Sequence, residues 1–418
     1  MKQRIIIGLI LLFSANYILG QQEKEKDPEK LVYLQVGDEA VKAAVQAGFE
    51  AFHGPLYSDP GLPAFTLISR SKRIAAGVGG YVRFTTSFDF GGIMPSNDFI
   101  PFLIPVGQVQ QRSQFKMEAA TSRLYLRFIA DTKYGVFHFY VETDFRASGN
   151  RNRFNAMYAT WRGFRIGRYW TVMADLESYP PSIDFQGPNA FSGTSTYQIS
   201  YQGNFNTHFS YGIGLELPDY SIADSLGAYK MPQRIPTLPG YLQYGNSYGH
   251  LRVASMARPL VYKNTLTGGT EYTMTWGVVG SAIVKPSRKS TFYLQSVYGK
   301  GIGTYNFELN GNGLDLIPDP DKAGKLRPAG FWGGFIGTQY KFTSFFQASA
   351  IYSYLRLLKN GLNNPYLYKE GQYVVATGYF NLTPRMQLAI EYDYGYLNLR
   401  NNRNGHANRI MGMIRYDF

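Results

Sequence analysis

The chain contains no cysteine. Disulfides, thiolate metal sites, a cysteine nucleophile and an acylated N-terminal cysteine are therefore excluded. Histidine is scarce, five in 418 residues, and no metal-ligand spacing appears. Long apolar runs are missing as well. After the first twenty residues no stretch approaches the ~20 apolar residues that a membrane-spanning helix needs. Gly-rich segments at 77–80 and 299–303 lack the strand-then-helix context of a phosphate site. No cofactor is implied, no catalytic residue is assigned and an enzyme is not expected, because no serine or other nucleophile is spaced to a base.

What is present begins with the N-terminus. Lys2 and Arg4 precede a short apolar stretch, 5–13, followed by the small residues Ser14, Ala15 and Gly20. This is the layout of a secretory signal peptide, residues 1–20, with cleavage expected between Gly20 and Gln21. Aromatics make up 16% of the chain, with 34 Tyr and 29 Phe, beside 45 Gly. Many aromatics and glycines without long apolar runs suit a transmembrane β-barrel, whose strands alternate lipid-facing and lumen-facing residues between two aromatic girdles. In lipid every backbone polar group must be paired, so a closed barrel is the alternative to helices.

The alternation is explicit. In 82–90, Val82, Phe84, Thr86, Phe88 and Phe90 share one face, with Arg83, Thr85, Ser87 and Asp89 on the other. In 123–128, Leu124, Leu126 and Phe128 alternate with Arg123, Tyr125 and Arg127. In 385–396, Met386, Leu388, Ile390 and three tyrosines oppose Arg385, Gln387, Glu391 and Asp393. The last ten residues place Ile410, Gly412, Ile414, Tyr416 and Phe418 on one face. A final amphipathic strand ending in Phe418 has the form of an outer-membrane assembly signal, so the barrel assembly machinery is an expected partner.

Turn signals count the strands. Seven short turns, at 131–134, 162–163, 203–206, 245–248, 286–289, 342–344 and 382–384, alternate with eight longer links. The links are 91–114, 147–151, 171–194, 218–233, 263–270, 310–329, 358–370 and 398–405. Short periplasmic turns alternating with long outer loops predict an all-β, 16-stranded antiparallel barrel over 74–418. Such a barrel leaves an aqueous channel. The strand at 235–244 is the least regular, because it carries Pro236 and Pro239. Residues 21–73 form a periplasmic segment with a charged run at 22–30 and one short helix at 38–52, capped by Asp38 and carrying Val41, Ala44, Val45 and Phe49 on one face.

The third outer link, 171–194, follows the fifth strand and is expected to fold inward as a constriction loop. It carries Asp175, Glu177 and Asp184 among prolines that stiffen it. The opposing wall is expected to offer Arg83, Arg123, Arg127, Arg252 and Arg258. Acid on the loop against base on the wall would screen solutes by size and charge sign. The net charge of +13 would suggest nucleic acid for a soluble chain. Here export and the spread of basic residues along alternating strands remove that partner and leave a mild preference for anions. Glu142, Asp144, Glu391 and Asp393 share the inward faces and keep that preference weak.

Three stretches carry a family resemblance: GVGGYVRFTTSFDFGG at 77–92, NAMYATWRGFRIGRYW at 155–170, and PPSIDFQGPNAF at 180–191. They resemble the DcaP-like outer-membrane porins, the last stretch most specifically. The resemblance runs from about residue 65 to the end. It implies a homotrimer in the bacterial outer membrane, a 16-stranded barrel, and passage of small anionic solutes such as dicarboxylates. Members often carry an N-terminal coiled coil, whereas 21–73 shows no sustained heptads here. The expected function is passive diffusion of small hydrophilic solutes. The alternative is a hatch-gated carrier for hydrophobic compounds, against which the charged constriction argues.

Overall fold

A computed structural model describes residues 31–36, 65–69, 73–107, 113–223, 228–359 and 364–418, the first of these through the backbone alone. The signal peptide and the helix expected at 38–52 lie outside the described residues. We number the barrel strands in chain order. The first eight are β1 (Ile74–Phe90), β2 (Arg123–Thr132), β3 (Gly135–Ala147), β4 (Arg151–Trp161), β5 (Phe164–Trp170), β6 (Ser195–Asn204), β7 (Phe209–Glu216) and β8 (Leu238–Asn246). The rest are β9 (Gly249–Asn264), β10 (Thr270–Val284), β11 (Ser290–Lys300), β12 (Gly330–Lys341), β13 (Phe346–Leu357), β14 (Tyr368–Thr383), β15 (Met386–Leu399) and β16 (Asn404–Asp417).

Each strand pairs antiparallel with its neighbour, and β16 closes onto β1 from Asn408↔Phe90 to Asp417↔Tyr81. The last residue completes the seam: Phe418 N–H donates to the Gly80 carbonyl at 3.0 Å, and Gly80 N–H donates back at 3.2 Å. The fold is a closed 16-stranded antiparallel β-barrel.

Burial runs opposite to that of a soluble protein. On β1, Val82, Phe84 and Phe88 are exposed, while Arg83, Ser87 and Asp89 are buried. The exposed apolar face is the lipid face, and the charged face turns inward. Outward rings stack in rows near both rims. Phe137–Trp161, Phe209–Tyr244 and Phe346–Phe380 lie near the short turns, and Trp276–Tyr298 and Trp332–Tyr354 nearer the long loops. They form the two interfacial girdles.

Two details depart from the sequence expectation. The eighth strand runs Leu238–Asn246 rather than 235–244, with Pro239 opposite Met256. Its pairing with β7 covers Gly240 to Tyr244 and resumes only at Thr237, so the proline's missing N–H falls in a gap of the ladder. The segment before the barrel contributes two strands, Leu31–Val36 and Phe65–Ser69. They pair with each other, and the second pairs with β1 from Phe65↔Val78 to Ile68↔Ala75. They extend the sheet along the β1 edge that β16 leaves uncovered.

Candidate functional site: the lumen and its constriction

The third outer loop, 171–194, turns into the barrel and spreads over the wall. Its neck is held by Glu216 on β7, which accepts from Val172 N–H at 2.6 Å and from Thr171 Oγ1 at 2.7 Å. Asp175 accepts from Ser281 on β10 at 2.6 Å and contacts His250 on β9 at 2.7 Å. On β15, Glu391 accepts from the N–H groups of Ile183 and Asp184 at 2.5 and 2.6 Å. Ser349 and Ser353 on β13 bond Pro181 and Ala190, and Gln295 on β11 bonds Ser192. From β1, Arg83 donates to the Ile183 carbonyl. The wall's inward polar residues thus satisfy a backbone that forms no regular ladder of its own.

Small wall residues make room for this packing. A Cβ on Gly337 would lie 2.7 Å from Pro180 of the third loop. A Cβ on Gly395 would lie 2.6 Å from Phe99, because the first loop folds in over β14 and β15. The sixth loop closes the layer. Phe307 packs at a tilt on Phe191, 4.9 Å between ring centres, and the Glu308 N–H bonds the Asn189 carbonyl. Burial pushes the Glu308 carboxyl up to about 8, although Tyr368 and Asn189 pull the other way. Burial and nearby Asp98 likewise push Asp184 up to about 7. Burial also raises Asp175, but hydrogen bonding to His250 and the nearby Arg252 outweigh it and hold this carboxyl below its ordinary value.

These loops fill the side of the lumen walled by β9 to β16. The opposite side, walled by β1 to β6, stays open. A cavity of about 860 Å³ there is bordered by Arg83, Arg123, Arg146 and Arg153 on the wall. The loop faces it with Leu176, Tyr179, Ser182, Asp184, Phe185 and Gln186. Below it lies a second cavity of about 410 Å³, lined with tyrosines. The two share Arg123, Asn155, Trp170 and Leu176, which mark the neck of the passage.

The eight residues named from the sequence are therefore dispersed. Arg83 and Arg123 border the passage. Arg127 lies on the same strand as Arg123, towards the short-turn end, 3.4 Å from the His138 ring. Arg252 and Arg258 do not line the open passage. Arg252 is covered by the third loop, with its guanidinium 3.5 Å from the Tyr241 ring centre. Arg258 is wholly buried under the fourth and sixth loops and paired with Asp315 at 3.2 Å. Asp175 points from the loop into the wall, and the buried Asp184, at the cavity's edge, accepts from Tyr373 on β14 and from the Phe99 N–H of the first loop. Glu177, half exposed, sits 3.5 Å from His250. In place of the acid-against-base field expected across the passage, a mostly uncharged, partly aromatic loop face stands against a basic wall. The reason is that backbone N–H groups and wall hydroxyls take up the loop carboxylates.

Arg146 and Arg153 were not among the residues named from the sequence. Arg146 was accessible there, since it follows Glu142 and Asp144 at period two. The wall arginines are also largely paired: Arg123 with Glu142 at 2.9 Å, Arg153 with Asp144 at 2.6 Å, and Arg146 with Asp98. Phe185 of the loop lies under Arg146, at 4.1 Å, and Arg123, at 5.3 Å. Among the described residues no cluster of three or more acidic or histidine side chains could hold a metal ion.

A family model described as the porin subfamily matches residues 76–414, nearly the whole barrel. The chain belongs to the porin family. As such it is a channel-type barrel of the bacterial outer membrane. Three solved structures resembling this porin bear on its fold. The outer membrane channel DcaP of Acinetobacter baumannii aligns at TM-score 0.72 and 17% identity, over 82% of this chain and 97% of that one. An anion-selective porin from Comamonas acidovorans aligns at 0.55 and 13%, over 82% and 100%. A trimer form of OmpT from Vibrio cholerae aligns at 0.52 and 12%, over 82% and 99%. No curated protein matches this porin.

Proposed function

We propose that this porin admits small hydrophilic solutes by passive diffusion, with a weak preference for anions such as dicarboxylates. One observation carries the reading: four inward arginines border the cavity above the neck, and the loop faces them with mostly uncharged groups. An anion shedding water in a narrow, partly low-dielectric passage gains from each cation, and salt weakens that gain only in part. The preference is weak because Glu142, Asp144 and Asp98 neutralise three of the four. The printed description of the Comamonas barrel as anion-selective supports the same reading. Reconstitution in planar bilayers tests it. Stepwise ohmic conductance with a reversal potential favouring chloride in a KCl gradient is expected. A silent membrane or a cation-selective channel would refute the proposal.

The porin is further proposed to work as a homotrimer, as the OmpT trimer form does. Ala348 and Ala350 on β13 pair with Gly378 and Ala376 on β14, giving a flat outward patch on which a second barrel can pack. Mass measurement in mild detergent should give three chains, and a monomer alone would overturn this. Phe418, which completes the β16–β1 seam, is proposed as the signal read by the assembly machinery. Its deletion should lower the heat-modifiable folded fraction in the outer membrane, and an unchanged fraction would remove that role.

A further inference from the structure

The cavity below the neck differs in chemistry from the one above it. Five consecutive strands, β1 to β5, each turn a tyrosine inward: Tyr81, Tyr125, Tyr140, Tyr158 and Tyr169. The last four touch in sequence, with ring centres 5.7, 5.3 and 4.8 Å apart. Successive planes tilt by 31°, 35° and 64°, so the belt curves with the wall and offers no parallel slot between two rings. Tyr81, Tyr125, Tyr140 and Tyr169 line the 410 Å³ space, a volume in the range of small-molecule sites.

The charges here cancel. Glu142 is held by Arg123 at 2.9 Å, by the Tyr140 hydroxyl at 2.8 Å and by the Asn155 amide at 3.1 Å. Arg415 is paired with Asp417 at 2.6 Å and lies 4.0 Å from the Tyr81 ring centre. An anion entering from above leaves an arginine-rich chamber for one in which Arg123 and Arg415 are matched by Glu142 and Asp417. A flat aromatic finds no slot and leaves the fixed donors and acceptors without partners. The ligand that matches is neutral, ring-shaped and hydroxylated. Its C–H faces lie on the partly exposed Tyr81, Tyr125 and Tyr169, backed by the buried Tyr140 and Tyr158, while its hydroxyls bond planar groups already fixed by one another.

We propose that this lower chamber is a saccharide subsite on the diffusion path, reversibly holding one neutral sugar ring or a disaccharide beneath the neck. The inference goes beyond passive anion-preferring diffusion and rests on that reading only in requiring an open passage. Ion current through the reconstituted full-length porin separates the two, because the current without sugar reports the open channel and maltose reports the subsite. Maltose is expected to reduce the current saturably, with added noise from its exchange. A polyethylene glycol of similar size should lower the current only in proportion to its concentration. In Tyr125→Ala/Tyr169→Ala the half-blocking concentration should rise about fivefold or more, as loss of two ring contacts predicts. If that variant does not fold, Tyr169→Leu is compared with Tyr169→Phe, and only the leucine should weaken the block. A current that maltose does not reduce saturably, equal block in wild type and tyrosine variants, or saturable block by benzoate in place of maltose would overturn the proposal.

Discussion

The two halves of the lumen are built on the same alternation and end up with opposite roles. On β9, β15 and β16 the inward Arg258, Glu391 and Arg409 are buried, because loops cover them. On β2 to β4 the inward Arg123, Arg146 and Arg153 keep 24%, 17% and 42% of their side-chain surface. The difference shows that an inward charge in a barrel is either a fastener or a pore wall. What decides is whether a loop lies over it. A fastener is a buried charge whose loss leaves its partner unpaired, whereas a pore-wall charge is screened by water and acts on passing ions.

Cutting a fastener should have the largest effect. Arg409 binds Asp89 with two contacts, at 2.5 and 3.2 Å, and donates to the Asn97 and Ser96 carbonyls of the first loop. Arg409→Met leaves a buried carboxylate unpaired and should cost about 3–5 kcal/mol. Adding Asp89→Asn should recover part of that. Urea titration of heat-modifiable barrel measures both, and equal stability of the single and double variants would break the fastener assignment.

A smaller loss is expected from Glu391→Ala. It removes two hydrogen bonds to the third loop, each worth about 0.5–1.5 kcal/mol net. The barrel should still close, but the loop should detach from β15, raising conductance and current noise. Unaltered conductance would mean that the remaining anchors suffice.

Selectivity sharpens the comparison directly. Arg123→Ala with Arg153→Ala should lower the anion-to-cation permeability ratio by roughly two- to fivefold, less than 1 kcal/mol per residue, because both are partly exposed and screened. Arg252→Ala, behind the loop, should leave the ratio nearly unchanged while lowering stability. Reversal potentials for the two variants decide, and a larger shift from Arg252 would invert the assignment of the halves.

The smallest effect is a pH dependence confined to the loops. Glu308 lies between Asn189 of the third loop and Tyr368 at the start of β14, and its folded carboxyl is raised to about 8. A raised carboxyl binds its proton more tightly when folded. The contribution is therefore fully present below the ordinary value of 4.5 and is lost as pH rises through about 8. Protease cleavage in the sixth loop should increase from pH 5 to 9 in wild type and stay level in Glu308→Gln. A level profile in wild type would remove the switch.

The sequence by itself determined the barrel, its sixteen strands and which side chains face inward. Those are local matters: side chains alternate with period two, and each turn is written in a few contiguous residues such as Arg162 and Gly163. It also marked the third loop, through its length and prolines. Tertiary structure alone decided which inward residues meet water. Arg123 and Arg258 are alike in sequence, each a basic residue at an inward position of an alternating strand. Arg258 became a fastener because Asp315, 57 residues away, comes over it with the sixth loop. The loop carboxylates turned to the wall for a similar reason. Asp175 meets Ser281 across 106 residues, and the Ile183 and Asp184 N–H groups meet Glu391 across more than 200. The tyrosine belt was spread over five strands and became a surface only when they paired in register. Contacts of that separation leave no local pattern, because they depend on how far each loop reaches across a lumen that exists only after the barrel has closed.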